Sequence, residues 1–284
     1  MCHAVPELPE VETVRGDLEA RVVGRCVVRA SVTGARTVRR QRPTELCAAL
    51  EGRAFSAIRR KGKYLLAGLD DGAVLVVHLR MSGQLRLVPA GEHAGGTAPH
   101  THAVLGLDDA SELRFIDPRT FGELFVTSEI GPDGVPTALS GLGVDPITDG
   151  LDAARLATLL RSRHTALKAF LLDQRGVAGI GNIYADEICF AARLRPDRRT
   201  ESLRPDEVSR LRDAVLDVLA AAVAHRGSTL RDERYRDLGG ARGSYQDHHA
   251  VYGRAGEPCL RCATVVVGSR VAGRSAHFCP SCQS

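Results

Sequence analysis

The sequence predicts an α+β protein built from more than one domain. Three observations support this fold class. The chain of 284 residues is longer than a typical single domain; its first half consists of short β-branched segments separated by turns; and its second half changes to helical spacing and ends in paired cysteines. With 44% hydrophobic and 25% charged residues the chain can bury a core, which excludes a disordered protein. Its longest apolar runs, 73–79 and 214–224, are too short to span a bilayer.

The first predicted element is a helix. Pro6 and Pro9 stand where a first helical turn tolerates proline, and valine and leucine follow at helical spacing up to Val22. Between residues 22 and 126, short alternating segments bounded by turn residues predict an antiparallel sandwich or barrel. These segments are 27–32, 64–69, 73–79, 84–88, 103–107, 112–116 and 123–126.

Residues 130–150 are rich in Gly, Pro, Asp and Ser and indicate a linker. Helical spacing beyond it predicts a helical domain, and a polar, glycine-bearing stretch, 228–249, then leads to the cysteines. The predicted helices are 151–160, 166–173, 183–192 and 205–225. The predicted domain boundaries are 6–130 for the β-domain, 131–150 for the linker, 151–249 for the helical domain and 250–284 for the cysteine-bearing hairpin.

The C-terminal cysteines have the spacing of metal ligands. Cys259, Cys262, Cys279 and Cys282 form two Cys-x2-Cys pairs with sixteen residues between them. Four thiolates on two tight turns supply the tetrahedral sulfur set that zinc prefers, and they leave no coordination position open for catalysis. The alternative, a dithiol redox pair, requires a strand-helix context, whereas glycine and proline flank these cysteines. We therefore expect one structural zinc ion.

The charge distribution and one glycine-rich turn are compatible with an anionic partner. Up to residue 150 the chain has 17 basic and 19 acidic residues, and beyond it 21 and 15, although solvated faces produce similar skews. Segment 175–184 carries three glycines before Asn182, so its backbone and the following helix N-terminus can approach a phosphate; a plain helix–helix turn is the alternative. The N-terminal residues lack the pattern of a secretory signal, which predicts a cytoplasmic protein.

Six segments resemble, in the same order, the motifs of the formamidopyrimidine-DNA glycosylase and endonuclease VIII family. They are residues 6–13, 61–66, 78–83, 117–122, 181–187 and 251–254. The resemblance extends from Pro6 to Gln283, and the opening Glu-Leu-Pro-Glu-Val-Glu is closer to the formamidopyrimidine branch. It implies an N-terminal β-sandwich with flanking helices, a helix-two-turn-helix domain and a C-terminal zinc ribbon hairpin.

The resemblance implies a base-excision-repair glycosylase and apurinic-site lyase for oxidised purines such as 8-oxoguanine. Pro6 matches the family's N-terminal proline, whose amine attacks C1′ and forms a Schiff base before β,δ-elimination. Glu7 matches the family's acid, and Lys63 matches the lysine assigned to β-elimination. Arg274 matches the hairpin arginine used at the 3′ phosphate and in δ-elimination, with Arg270 as the competing candidate.

The resemblance also implies DNA contacts. Met81, Arg119 and Phe121 match the residues that fill the gap left by an everted base; ordinary sandwich core is the alternative for Met81 and Phe121. Tyr245 ends a glycine-rich segment, 238–245, which we interpret as a mobile lid over the base, or else as a solvated connector. Four residues match positions that contact the phosphate backbone: His100, Arg163, Lys168 and Asn182.

Two positions depart from the family pattern. Arg80 stands where glycine often precedes the methionine, and Thr120 stands where many members carry a second arginine. The second difference removes a phosphate contact, and the first returns a positive charge to the same region.

The predicted nucleophile raises a chemical question, because an amide nitrogen does not attack C1′. Five residues precede Pro6, and we expect translation to start at position 5, with the initiator methionine then removed. A genuine five-residue extension would instead leave a non-catalytic protein that binds damaged DNA, and an endonuclease VIII-like enzyme for oxidised pyrimidines is a further alternative. We expect a monomer that binds double-stranded damaged DNA, no membrane and one Zn²⁺, in the cytoplasm and on the nucleoid.

Overall fold

A computed structural model describes residues 5–92 and 98–284 of the chain. Its described residues form two compact units, one from the described part of residues 3–140 together with 226–243, called the N-terminal unit, and one from residues 141–225 and 244–284, called the C-terminal unit. The helices are α1 (Leu8–Val22), α2 (Pro43–Leu50), α3 (Ala153–Arg161), α4 (Leu167–Leu172), α5 (Asn182–Ala191) and α6 (Pro205–Ala224).

The N-terminal unit contains the predicted sandwich. Eight strands form two antiparallel sheets, with the orders β1-β6-β7-β5 and β2-β3-β4-β8. The inward side chains of both sheets and the apolar face of α1 share one core, because alternate residues of a strand point to the same face. The strands are β1 (Val27–Val32), β2 (Phe55–Lys61), β3 (Tyr64–Leu69), β4 (Val74–His78), β5 (Gln84–Val88), β6 (Thr101–Leu107), β7 (Glu112–Ile116) and β8 (Glu123–Thr127).

Two elements of this unit were absent from the predictions. Helix α2 is only eight residues long, yet it carries the signals of a helix start: Pro43 in its first turn, and Glu45, whose carboxylate accepts the Arg42 N–H at 2.8 Å. Strand β2 includes Arg59, Arg60 and Lys61, which obscure its alternation, since Arg60 is a buried charge rather than a solvated one. The sandwich therefore has one more strand than the apolar pattern predicts.

The segment 226–243 packs with the sandwich. Tyr235 and Leu238 belong to its core, and the N–H of Leu87 in β5 donates to the Leu238 carbonyl at 3.1 Å. Asp237 closes the local turn by accepting the Ala241 N–H at 2.8 Å. This stretch is thus held by apolar burial and backbone hydrogen bonds.

The C-terminal unit contains four helices and a two-stranded hairpin, β9 (Val267–Val271) and β10 (Arg274–Phe278). Its helix boundaries agree with the predicted ones to within about two residues, the usual uncertainty of helix ends. The side chain of Gln174 organises the turn between α4 and α5, accepting the Gly179 N–H and donating to the Ile180 carbonyl, both at 2.8 Å. No helix in the described ranges is long and apolar enough to cross a membrane.

Candidate active site

The start of α1 lies in a buried hydrogen-bonded setting. Pro6 and Glu7 are both buried, and the Glu7 N–H donates to the carboxylate of Glu10 at 2.8 Å. The other oxygen of that carboxylate accepts the Ser228 N–H at 2.7 Å. A Cβ on Gly227 would lie 2.6 Å from Glu10 Oε1, so the close approach of this backbone requires glycine, which also adopts φ +75° there. Glu10 therefore ties the Pro6–Glu7 segment to residues 227–228.

The turn that carries Lys63 is connected to the same helix. Arg60, which is 4% exposed, donates from Nε to Glu12 of α1 at 2.8 Å and from Nη1 to the Gly62 carbonyl at 2.9 Å. Lys63 follows Gly62 in the turn between β2 and β3 and is half-buried. One guanidinium thus links the turn of the predicted elimination lysine to the helix that follows the predicted nucleophile. Arg60 and Glu12 were absent from the predicted site, although Glu12 lies in the segment 6–13 and Arg60 directly precedes the segment 61–66.

His78 lies beside this turn. Burial, followed by the charges of Arg80 and Lys63, holds the pKa of His78 well below its ordinary value, so the imidazole is neutral near pH 7. Its Nδ1 accepts the Arg80 N–H at 2.8 Å, and its ring meets that of Tyr64 edge-on at 4.3 Å. Because Nδ1 accepts this hydrogen bond, it carries no proton, in agreement with a neutral imidazole.

The predicted gap-filling residues lie on two loops. Phe121 is 41% exposed, so it is not part of the sandwich core, and Met81 is half-buried. The guanidinium of Arg119 stands 4.8 Å from the centre of the Phe121 ring. Arg80 and Thr120 adopt φ values of 52° and 55°, which explains why glycine suits the first of these positions.

The predicted backbone-contact residues differ in accessibility. His100 is exposed at φ 64°, and Arg163 pairs with Asp173 while keeping about a third of its side chain exposed. Asn182 donates from Nδ2 to Ser275 Oγ at 3.1 Å, and its Oδ1 is shielded from solvent without a hydrogen-bond partner in the described ranges. These three remain predictions of phosphate contact.

Lys168 is placed differently from that expectation. Its side chain is fully buried, and Nζ donates to Asp186 Oδ1 at 2.6 Å and to the Ser275 carbonyl at 2.5 Å. A phosphate contact would require the ammonium to leave this ion pair. The low-dielectric surroundings strengthen the attraction between its two charges and therefore favour the pair. The structure therefore gives Lys168 an internal partner rather than an exposed charge.

Asp186 and Glu187 anchor the C-terminal hairpin on α5. Asp186 Oδ2 accepts the backbone N–H of His277 at 3.0 Å and lies 2.9 Å from its Nδ1. Glu187 accepts backbone N–H groups from residues 250–252 at 2.8–3.0 Å, while its burial raises the pKa of its carboxyl group. The sequence predicts no role for either acid, since the backbone groups that they accept lie more than sixty residues away.

The four C-terminal cysteines come together. Their sulfur atoms all lie within 4.8 Å of one another, with Sγ–Sγ distances of 3.9 Å for Cys259–Cys282, 3.5 Å for Cys262–Cys279 and 3.3 Å for Cys262–Cys282. Zinc–sulfur bonds of about 2.3 Å in a tetrahedron give sulfur separations of about 3.8 Å, so the cluster fits one zinc ion. The four ligands hold the ends of the segment that carries β9 and β10.

Arg274 is exposed at the first position of β10, opposite Val271 across the hairpin. The two-residue turn before it, Ala272–Gly273, has φ values of 48° and 76°, as a tight hairpin turn requires. Arg270 is also exposed and pairs with Ser275, so both arginines remain candidates for a phosphate contact.

The segment interpreted as a lid also differs from its expectation. Leu238 is fully buried in the sandwich core, and Tyr245 is only 6% exposed, with its ring 5.7 Å from that of Tyr184 and 5.8 Å from that of His249. Burial, with a smaller contribution from the Glu187 charge, raises the pKa of Tyr245 to about 12. The tyrosine therefore packs inside the C-terminal unit, because its ring gains more from burial among aromatic side chains than from exposure.

Three family models match consecutive parts of the chain. They describe the formamidopyrimidine-DNA glycosylase N-terminal domain, over residues 5–124, the formamidopyrimidine-DNA glycosylase H2TH domain, over residues 142–234, and a zinc finger found in FPG and IleRS, over residues 256–284. The last match coincides with the four-cysteine cluster, and zinc is accordingly the metal of this site.

Relatives and solved structures match over nearly the full length. The formamidopyrimidine-DNA glycosylase of Symbiobacterium thermophilum is 45% identical over 98% of this chain and 89% of its own, and that of Listeria innocua is 40% identical over 98% and 100%. The crystal structure of the MutM (FPG) protein of Thermus thermophilus has a TM-score of 0.84 at 41% identity, covering 98% of each chain. A Lactococcus lactis FPG mutant in complex with Fapy-dG containing DNA has a TM-score of 0.87 at 35% identity, covering 98% of this chain and all of that one. The chain therefore belongs to the formamidopyrimidine-DNA glycosylase family.

Proposed function

We propose that this protein is a DNA glycosylase and apurinic-site lyase that removes oxidised purines, 8-oxoguanine and formamidopyrimidines, from double-stranded DNA. Family membership supports the glycosylase activity, and the complexes of the Lactococcus lactis relative with Fapy-dG containing DNA and with abasic site containing DNA support the substrate class. The observation that carries the proposal is the buried start of α1, where Glu10 fixes the Pro6–Glu7 segment.

The proposed reaction uses Pro6 as the nucleophile. The lone pair of a free secondary amine attacks C1′, the glycosidic bond breaks, and the base leaves with a proton supplied by Glu7. The amine then loses its proton, the C1′–O4′ bond breaks, and the ring oxygen gains a proton, which gives an open-chain iminium. Because the positive end of α1 lies next to this nitrogen, it favours the neutral, attacking amine over the ammonium.

Strand cleavage follows from the iminium. Lys63 takes a C2′ proton, and the C3′–O bond then breaks with release of the 3′ phosphate. In a second elimination the C4′ proton is lost to water and the C5′–O bond breaks, which releases the 5′ phosphate. The link from Arg60 to Glu12 and Gly62 supports this role, because it joins the Lys63 turn to the helix of Pro6. Arg274 on the zinc hairpin holds the departing phosphate through its guanidinium. Zinc supplies no reaction step, since four cysteines fill its coordination sphere.

DNA recognition is distributed over the two units. We propose that Met81, Arg119 and Phe121 fill the gap left by the everted nucleotide, and that His100, Arg163 and Asn182 contact the phosphate backbone. The exposure of Phe121 supports the gap-filling role, and the exposed His100 and partly exposed Arg163 side chains can donate to phosphate oxygens. Lys168 and Tyr245 are buried in the C-terminal unit, and we propose a structural role for both rather than a contact with DNA. We propose a monomer as the active form.

The decisive experiment compares the full chain with a form that starts at Pro6. In the full chain Pro6 follows Val5, and its nitrogen is an amide, so we expect borohydride to trap only the form with a free Pro6 on 8-oxoguanine duplex. Pro6→Gly, which keeps a terminal amine but changes its basicity and geometry, is the matched control and should trap more weakly. Binding of lesion DNA by the Pro6 form without any adduct would refute the catalytic assignment.

The substrate class needs a separate measurement. Under single-turnover conditions the Pro6 form should excise 8-oxoguanine faster than an oxidised pyrimidine such as dihydrouracil in the same sequence context. The reverse order would favour an endonuclease VIII-like specificity while leaving the Schiff-base chemistry intact.

A further inference from the structure

Two loops of the N-terminal unit cross between the sheets at the same end of the sandwich. Residues 79–83 connect β4 to β5, and residues 117–122 connect β7 to β8. Their flanking strands are neighbours: His78 pairs with Glu123 in one sheet, and Gln84 pairs with Ile116 in the other. Sheet topology therefore brings together the two loops that carry Met81, Arg119 and Phe121.

Asp117 connects the two loops through its carboxylate. The group is fully buried; Oδ1 accepts the Ser82 hydroxyl at 2.5 Å and the Arg119 N–H at 3.2 Å, while Oδ2 accepts the Gly122 N–H at 2.6 Å. The bonds to Arg119 and Gly122 close the second loop, and the bond from Ser82 joins it to the first. A buried carboxylate held by several donors resists displacement, because any lost bond leaves an unsatisfied charge.

Glu123 forms a second connection. Its carboxylate accepts Arg80 Nη2 at 3.0 Å and Arg40 Nε at 3.1 Å and is only 5% exposed. Arg80 is the residue that stands in place of the family's frequent glycine, and it occupies a left-handed conformation that glycine adopts without strain. The ion pair with Glu123, together with the bond from its own N–H to His78, holds Arg80 in that conformation.

We infer that Asp117 and Glu123 are positioning residues that clamp the two loops into one preformed wedge for the gap in lesion DNA. The inference rests on the proposed function, because that function assigns gap filling to Met81, Arg119 and Phe121. A preformed wedge loses less conformational freedom on insertion than two independent loops, so it enters the duplex faster. In this chain Arg80 supplies a link that glycine cannot form.

A simpler explanation is that Asp117 only closes its own turn. Ser82→Ala separates the two, since it removes the connection between the loops and leaves the bonds to Arg119 and Gly122 in place. Ser111→Ala is the matched control: Ser111 is likewise buried and its hydroxyl donates to Asp109 at 2.6 Å, in a turn of the same unit that carries no gap-filling residue. Arg80→Gly tests the second link without adding backbone strain.

The measurement is the rate at which the wedge inserts. A duplex with a stable, uncleavable abasic analogue opposite 2-aminopurine reports insertion by stopped-flow fluorescence and requires no chemistry. We expect Ser82→Ala to slow insertion about tenfold and Arg80→Gly to slow it severalfold, as small displacements of positioned groups do. Ser111→Ala should stay within about twofold of the unaltered protein.

The outcomes are distinguishable. If Ser82→Ala and Arg80→Gly retain native circular dichroism and insert as fast as Ser111→Ala, the clamp is refuted; if Ser82→Ala does not fold, Arg80→Gly alone decides. Failure of the form that starts at Pro6 to excise 8-oxoguanine, with normal insertion on the abasic analogue, would refute the proposed function and leave the clamp standing.

Discussion

Two buried aspartates organise the two units in different ways. In the N-terminal unit Asp117 accepts only neutral donors, a hydroxyl and two backbone N–H groups, and shapes adjacent loops. In the C-terminal unit Asp186 accepts the ammonium of Lys168 and the N–H of His277, and joins a helix to the hairpin. In the short loops, the buried carboxylate mainly satisfies backbone N–H groups. In the hairpin anchor, the carboxylate and the ammonium are both buried, so each charge depends on the other for its stabilisation.

Removing the metal should affect the C-terminal unit most. Structural zinc contributes about 10–16 kcal/mol to folding in zinc-finger peptides, so chelation or Cys279→Ser should unfold the hairpin that carries Arg274 and abolish DNA binding. Circular dichroism should still show the β-sandwich, and fluorescence anisotropy should report the lost binding. Cys47→Ser, outside the cluster, is the control. Retained binding in zinc-free Cys279→Ser protein would contradict the assignment of the hairpin to DNA.

Asp186→Asn should destabilise the C-terminal unit by about 3–5 kcal/mol, because the Lys168 ammonium would remain buried without its counter-charge. Chemical denaturation followed by a probe in α5 or α6 measures the loss. The double variant Lys168→Met/Asp186→Leu removes both charges and should recover much of it. Disrupting an exposed pair such as Asp206–Arg210 should change the free energy of unfolding very little. A loss in Arg210→Ala similar to that in Asp186→Asn would argue against burial as the cause.

Asp117→Asn should cost less, about 1–3 kcal/mol, since it leaves a hydrogen-bond donor mismatched but no buried cation unpaired. The comparison with Asp186→Asn in the same denaturation experiment is direct, because both changes replace a carboxylate by an amide of the same shape. Equal losses in the two variants would mean that the charge of Lys168 contributes little.

Acidification should lower the free energy of unfolding by the smallest amount among these predictions. Each unit contains one buried histidine that contributes to the loss. Burial lowers the pKa of His249 to about 4, against the opposing charge of Asp247 and with a smaller contribution from His248, and burial also holds the pKa of His78 well below its ordinary value. Because both folded-state pKa values are depressed, stability is fully present above the unfolded pKa of about 6.5 and declines as the pH falls below it.

At pH 5.5 the His249 contribution to this loss is on the order of 1 kcal/mol. His249→Gln should therefore flatten the fall in unfolding free energy between pH 7 and 5.5, measured by urea titration at each pH. An unchanged slope would show that His249 titrates normally in the folded protein.

The sequence predicted elements wherever local pattern and burial agree. Helix α1, seven of the eight sandwich strands, the helices of the C-terminal unit and the cysteine cluster follow from periodicity, turn residues and spacing. Helix α2 and β2 escaped because one is short and the other contains a buried arginine. Family resemblance, rather than periodicity, identified the candidate site residues.

What escaped prediction depends on partners distant in the sequence. Lys168 is one of three lysines in the chain and was expected at the DNA surface, but Asp186 one helix later makes an internal ion pair possible. Asp117 opens the motif-like segment 117–122, yet its role depends on Ser82, thirty-five residues earlier. Pattern alone does not distinguish a buried, satisfied charge from a solvated one.

The two crossing loops also constrain how this protein can change during evolution. Packed sheets lie about 10 Å apart, and five residues, 79–83, and six residues, 117–122, bridge that gap. An inserted or deleted residue would have to be absorbed within the loop, because a one-residue slip of the adjoining strand would turn its core side chains outward. We therefore expect these short loops to vary mainly by substitution at fixed length, as at Arg80 and Thr120, so that the spacing of the two sheets limits how far the proposed wedge can extend.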